Sequence, residues 1–326
     1  MFRRITCLLP LIVLFGCTRP RDGAHASRLD LMKPSPDAQR IDSTFVCPRP
    51  AHNVTAEFDD LFYSQSISND PKAANALRDC DVVLVHGWLG EVALRLTGFL
   101  NFFSPNQHAL DYLKDQRQAS RELGMECKVP LYRSESIDAC GEKVARFIAA
   151  NPRPVILIGH SKGGLDALAA LLSLQRSGQL HKVAGWLAMQ GPFYGCDEAQ
   201  EFFDTPHLRA RMKFALFGGK LDGLRDLTPA ARRDYMAQHE AEIATLMRTV
   251  PVVCFGSWLP PKAPDVPLMD GPVKPGDAIL PGADYVAKCG VRHALPVLGW
   301  GPERFDRVAF TKTMLIMLAH RMADTH

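Results

Sequence analysis

A chain of 326 residues that is 47% hydrophobic can build one large core or two small ones, and an α/β domain often fills this length alone. Lysine and arginine number 38 against 35 aspartate and glutamate, so the formal charge of +3 offers no field suited to nucleic acid or strongly anionic ligands. No nucleic-acid partner is expected, and one folded domain carrying insertions is.

Arg3 and Arg4 stand ahead of an apolar run from Ile5 to Phe15, with no acidic residue among them. That is the layout of an export signal over residues 1–16. The run is shorter than the roughly 20 apolar residues a membrane span needs. It ends in Leu14-Phe15-Gly16-Cys17, which resembles a bacterial lipobox. The resemblance implies diacylation of the Cys17 sulfur and a mature chain that begins there, anchored to a membrane by several acyl chains. Phe15 is bulkier than the residue usual at its place, which leaves an ordinary cleaved signal and an uncleaved anchor open. Thr18 stands where an aspartate would favour the inner membrane, so the outer membrane is the expected location, with a periplasmic or secreted protein as the alternative. Loss of residues 1–16 removes two arginines and no acids, leaving 36 basic against 35 acidic residues in a nearly neutral chain.

Residues 17–45 are rich in Arg, Asp, Pro and Ser and poor in large apolar groups, the composition of a flexible tether. The folded body is expected over 46–326. Beyond Cys7 and Cys17 the chain has Cys47, Cys80, Cys127, Cys140, Cys196, Cys254 and Cys289. Export permits their oxidation, and an odd number leaves at least one free. Cys127 with Cys140 is the favoured pair, because both fall in one short stretch. No Cys-x-x-Cys pair or His/Cys cluster has metal-ligand spacing, so no structural zinc is expected.

Val82 to Val85 and Val155 to Ile158 are short aliphatic runs bounded by glycine or proline, read as strands buried on both faces. Gly163 to Leu174 carries Leu165, Leu168, Ala169, Leu171 and Leu172 at near-helical spacing, and Gly178 supplies a stop. Strand followed by helix is the unit of a parallel α/β sheet. Val183 to Met189 and Val250 to Phe255 read as the next two strands. The interval between them, about 202–248, is helical in composition and carries Arg209, Arg211, Lys213, Lys220, Arg225, Arg232 and Arg233. It is too long for a simple crossover and is read as a helical lid over the sheet, with two ordinary surface helices as the alternative.

The specific signal is Gly159-His160-Ser161-Lys162-Gly163-Gly164, which directly follows one predicted strand and opens the predicted helix. A serine nucleophile on a strained strand-to-helix turn needs glycines two positions away, where side chains would clash. The glycine spacing fits neither a P-loop nor a dinucleotide fingerprint. Ser161 is therefore the expected nucleophile. A hydroxyl needs a base, and in this arrangement acid and histidine follow the serine in the chain. His293, His320 and His326 are the candidates; His293 lies in a loop-like stretch and is preferred over two histidines in or beyond a C-terminal helix. Asp265, Asp270, Asp277 and Asp284 qualify as the acid by order. Asp270 is chosen because Gly271 allows a tight reversal there, with Asp265 and Asp284 in reserve. The oxyanion donors are expected to be the amides of Lys162 and Trp88, the latter in the loop His86-Gly87-Trp88-Leu89-Gly90. His86 is read as a brace for that loop rather than a proton carrier.

With these residues in hand, the chain resembles the bacterial triacylglycerol lipases of the α/β-hydrolase superfamily over roughly residues 80–300. Val85-His86-Gly87-Trp88-Leu89-Gly90 is similar to the family's oxyanion strand end, and Ile158 to Gly164 to its nucleophile elbow. Gly191-Pro192-Phe193-Tyr194-Gly195-Cys196 resembles the stretch after the next strand, Asp226-Leu227-Thr228-Pro229 a phrase of the lid, and Asp270-Gly271-Pro272-Val273 the acid loop. The resemblance implies a mostly parallel sheet flanked by helices, acyl-enzyme chemistry and no organic cofactor, but does not settle the substrate; lipid-like or small carboxylic esters are the expected one. Two departures stand out: Phe193 replaces a histidine, and Leu295 stands where calcium-binding members often carry an aspartate, so no metal is expected. A polyester depolymerase or phospholipase with the same three residues, and a non-catalytic surface lipoprotein of this fold, are the competing readings.

Overall fold

The computed structural model describes residues 45–63, 70–88, 90, 112–204, 221–260, 268–298 and 305–325. The expected export signal, Cys17 and all of the expected tether except Phe45 lie outside the described residues. Phe45 is already part of the fold, its ring 5.2 Å from that of Trp258. Among the described residues no helix is long and apolar enough to cross a membrane.

Seven strands form one sheet: β1 (His52–Asn53), β2 (Asp81–Val85), β3 (Cys127–Lys128), β4 (Val155–His160), β5 (Val183–Met189), β6 (Val252–Trp258) and β7 (Asp284–Cys289). Their order is β1-β7-β6-β5-β4-β2-β3, and every neighbouring pair is parallel. A parallel sheet is covered on both faces, which is why β2 and β4 are apolar without alternation. Val83, Val85, Val155, Leu157, Trp186 and Cys254 point to one face, whereas Val82, Leu84, Ile156, Ile158, Leu187 and Val253 point to the other.

The first face is covered by α4 (Ile137–Ala149), α5 (Lys162–Arg176) and α9 (Glu240–Thr249), through residues such as Val144, Leu168 and Leu246. The second lies under α1 (Thr55–Tyr63), α2 (Pro71–Leu77) and α10 (Arg307–Thr325), through Phe58, Leu77 and Met314. Helix α3 (Lys114–Glu122) packs beside α10, where Gln116 Nε2 donates to Thr311 Oγ1 at 3.2 Å. The remaining helices are α6 (Asp197–Asp204), α7 (Leu221–Arg225) and α8 (Pro229–Gln238).

The strands predicted at 82–85, 155–158, 183–189 and 250–255 are present within two or three residues at each end, as is the helix at 163–174. Gly178, at φ +70, closes α5 as expected. Of the interval read as a lid, residues 205–220 lie outside the described residues. Its last part, α9, packs on α5 and leads into β6, the position of an ordinary crossover helix.

The favoured Cys127–Cys140 pair is not formed, and none of the seven cysteines from Cys47 to Cys289 is in a disulfide. The reason is the two-sided sheet: Cys140 belongs to the core beneath α4 and α5, whereas Cys127 packs into the core beneath α10. Nearness in sequence says nothing about which face a side chain takes. Burial pushes the Cys80, Cys127 and Cys196 thiols up to about 11 and that of Cys254 to about 12.

Helix α10 seats directly on the middle of the sheet because β5 has no side chain at Gly185, where a Cβ would lie 2.9 Å from Leu318 Cδ2. Leu318 is fully buried. Leu318→Ala should leave a hole that the helix cannot close and lower stability by about 2–5 kcal/mol, read from the urea unfolding midpoint.

Candidate active site

Ser161 is the single residue between β4 and α5, with φ 56 and ψ −129. A side chain in this region strains the backbone by roughly 1–3 kcal/mol, so its surroundings must hold it there. They do so at both ends: its N–H donates to Met189 O at 2.9 Å, and its carbonyl accepts from Gly164 N at 2.9 Å.

The turn also needs empty space. A Cβ on Gly163 would fall 2.2 Å from Val85 O and 2.7 Å from His86 O, so the first turn of α5 abuts the end of β2. One on Gly87 would fall 3.2 Å from Ser161 Cβ and 3.1 Å from His160 O. The predicted donors Trp88 and Lys162 thus belong to the two backbone segments that flank Ser161: Trp88 follows Gly87, and Lys162 opens α5. His86 is buried, donates from Nδ1 to Gly87 O at 3.0 Å and stacks on Tyr132 at 4.3 Å, the brace expected of it.

The three residues selected from the sequence meet. Ser161 Oγ lies 2.8 Å from His293 Nε2, and His293 Nδ1 lies 3.0 Å from Asp270 Oδ2. A carboxylate only accepts, so Nδ1 carries the ring proton and Nε2 is left to accept from the Ser161 hydroxyl. His293 N also donates to Asp270 O at 3.0 Å, so main chain and side chain register the two loops together. Asp270 Oδ1 accepts from Val273 N at 3.0 Å within its turn, and its side chain is 1% exposed. Ser161 and His293 remain partly exposed, which leaves the reacting atoms accessible.

The alternatives are placed elsewhere. Asp284 opens β7 at the opposite end of the strands from Ser161 and binds His52 and Arg321. Asp277 pairs with Arg49 at 3.0 Å, and His320 with Asp70 at 2.6 Å. Asp265 and His326 lie outside the described residues. Phe193 is fully buried, edge-on to Trp186 at 5.8 Å, and Leu295 is buried in the core under α10. Among the described residues no group of three or more His, Cys, Asp or Glu could hold a metal ion.

Two residues that the motifs did not mark also reach this cluster. Tyr112 O–H accepts from Gly87 N at 2.9 Å, and Gln190 projects from the end of β5 to the loop carrying His293. Nothing in the spacing of the sequence points to Tyr112, whereas Gln190 does occupy the position straight after a strand, where site residues of parallel sheets gather.

One turn into α5, Lys162 and Asp166 form a buried ion pair of 2.6 Å, each 1% exposed. Tyr132 donates to the second carboxylate oxygen at 3.1 Å. Burial opposes the charge on Lys162, but Asp166 holds its pKa above the ordinary value. Asp166→Ala should cost about 3–5 kcal/mol by stranding a buried ammonium, whereas Lys162→Met combined with Asp166→Leu should recover most of it in urea unfolding.

No family model matches the sequence, and no curated protein does. Among solved structures the chain is similar to the metagenomic carboxyl esterase MGS0156, at 14% identity over 90% of this chain and 98% of that one, with a TM-score of 0.63. It is also similar to the mature form of the Bacillus licheniformis lipase BlEst2, at 18% identity over 71% of this chain and 89% of that one, with a TM-score of 0.52. At such identities the likeness is one of architecture. The parallel seven-stranded sheet flanked by helices is the α/β-hydrolase fold.

Proposed function

We propose that the protein is a serine carboxylic ester hydrolase acting on lipid-like esters through an acyl-enzyme. The observation that carries this reading is the continuous path from Ser161 Oγ to His293 Nε2 at 2.8 Å and from His293 Nδ1 to Asp270 at 3.0 Å. The fold supports it by analogy, since similar structures belong to a lipase and a carboxyl esterase.

In the proposed reaction His293 takes the Ser161 proton as Oγ attacks the ester carbonyl carbon, and the carbonyl oxygen becomes an oxyanion. The backbone amides of Trp88 and Lys162 are the proposed donors to it, worth several kcal/mol in a site arranged in advance. The imidazolium, stabilised by Asp270, protonates the leaving alcohol as the C–O bond breaks. Water, deprotonated by His293, then attacks the acyl group; collapse releases the carboxylic acid and returns the proton to Ser161.

Ser161→Ala should abolish turnover of a p-nitrophenyl ester while the protein still folds, and activity equal to that of the parent would remove the assignment. Asp270→Asn should keep the geometry but disturb the His293 tautomer, lowering kcat by about 10⁴-fold. Rates across acyl lengths from acetate to palmitate, with a phospholipid and a polyester alongside, test the lipid-ester preference. We propose further that residues 1–16 are removed on export and Cys17 is lipidated. Incorporation of labelled palmitate should then be lost in Cys17→Ala.

A further inference from the structure

Side chains that follow three different strands bond residues 292 and 293, and the acid is one of them. Asp270 bonds it from the loop after β6. From the end of β4, His160 Nε2 lies 2.7 Å from the carbonyl oxygen of His293 itself. From the end of β5, Gln190 Nε2 donates to the carbonyl oxygen of Arg292 at 3.2 Å and to Ser257 Oγ at 2.6 Å.

The chemistry of these contacts fixes both side chains. A carbonyl accepts only, so Nε2 of His160 carries the proton and the amide nitrogen of Gln190 faces Arg292. His160 Nδ1, left as an acceptor, lies 3.4 Å from Tyr112 O–H, which in turn accepts from Gly87 N. One chain of bonds therefore runs from the loop beside Ser161 through Tyr112 and His160 to the backbone of the histidine. Burial, reinforced by the neighbouring His293, pushes His160 down to about 3, so its ring stays neutral 5.0 Å from that of His293.

Gln190 is costly to keep. It is fully buried with φ 52, which favours glycine. Ser161 is the next strand end over and likewise has a positive φ, 56. A buried glutamine in a strained conformation persists where its amide group does something a better-fitting residue would not.

We infer that His160 and Gln190 are positioning residues, which act through the carbonyl groups of residues 293 and 292 to hold the His293 imidazole within reach of Ser161. This rests on the proposed roles of Ser161 and His293. Neither side chain touches the reacting atoms in this scheme. Their removal therefore misplaces the base without altering what binds substrate.

The test is a set of substitutions assayed on a soluble p-nitrophenyl ester. His160→Leu should lower kcat by about 10²-fold, the scale of a small misplacement, with KM within about two-fold of the parent. His160→Gln, which keeps an N–H donor at similar reach, should restore most of it. Gln190→Gly removes the amide while allowing the backbone its left-handed turn, so kcat should fall with little loss of thermal stability. Because both hold one loop, the combined variant should lose less than the product of the single losses. Parent-like kcat in His160→Leu or Gln190→Gly, a loss confined to KM, or failure of His160→Gln to rescue would overturn the proposal. The rate of Ser161 labelling by a fluorophosphonate separates the two readings. A parent that labels quickly yet turns over no ester refutes only the ester reading, whereas variants that label as fast as the parent refute only the clamp.

Discussion

At the end of β4 the chain passes from strand to helix in one residue, and the surrounding structure is arranged around the space this reversal requires. Gly163 lets the first turn of α5 lie against the end of β2, and Gly87 lets the next loop lie against Ser161 itself. Any Cβ at Gly163 would overlap a main-chain oxygen. The strain at Ser161 is thus borne by contacts between backbones, which cannot relax one at a time. Because every strand is parallel, the same sheet edge also presents the ends of β5, β6 and β7, from which Gln190, Asp270 and His293 follow. Strand order 7-6-5-4 therefore brings together residues 132 positions apart in sequence.

The charges around this edge are managed by pairing and by neutrality. Asp270 is almost wholly removed from water, but it receives the Val273 amide and the His293 ring, so each of its oxygens has a donor before any substrate arrives. Lys162 and Asp166 cancel each other one helical turn below the nucleophile. His160 is close to the base yet uncharged, so it adds no positive charge against the imidazolium that would form on His293. A buried charge in place of any of these neutral or paired groups would act on the reacting proton at short range and low dielectric.

Much of this could be read from the chain alone, and the exceptions share physical causes. β2, β4 and β5 were legible because a strand covered on both faces is apolar throughout, and Ser161 because glycines flank it at the spacing a strained turn demands. β7 was not: Asp284 and Lys288 interrupt it, and only the fold shows Lys288 paired with Asp59 at 3.0 Å and Asp284 bound to Arg321 at the strand's start. For the same reason Asp284 looked eligible as an acid, since order in the chain does not say which end of a strand a residue occupies. β1 and β3 span two residues each, too few for any periodicity. The choice of Asp270 drew on turn chemistry, and the fold brings that residue to His293, whereas pairing Cys127 with Cys140 drew on proximity and failed, because a sheet separates them.

That separation, with the burial of most of these thiols, bears on the chain's redox chemistry. Oxidants and mixed-disulfide partners attack the thiolate, and a thiol raised to about 11 is ionised in roughly one molecule in ten thousand at neutral pH. Packing thereby protects the sulfur atoms of Cys80, Cys127 and Cys196 kinetically, by withholding the reactive species. Among the described residues the fold is therefore held by packing and hydrogen bonds, with no covalent cross-link for a reductant to cut.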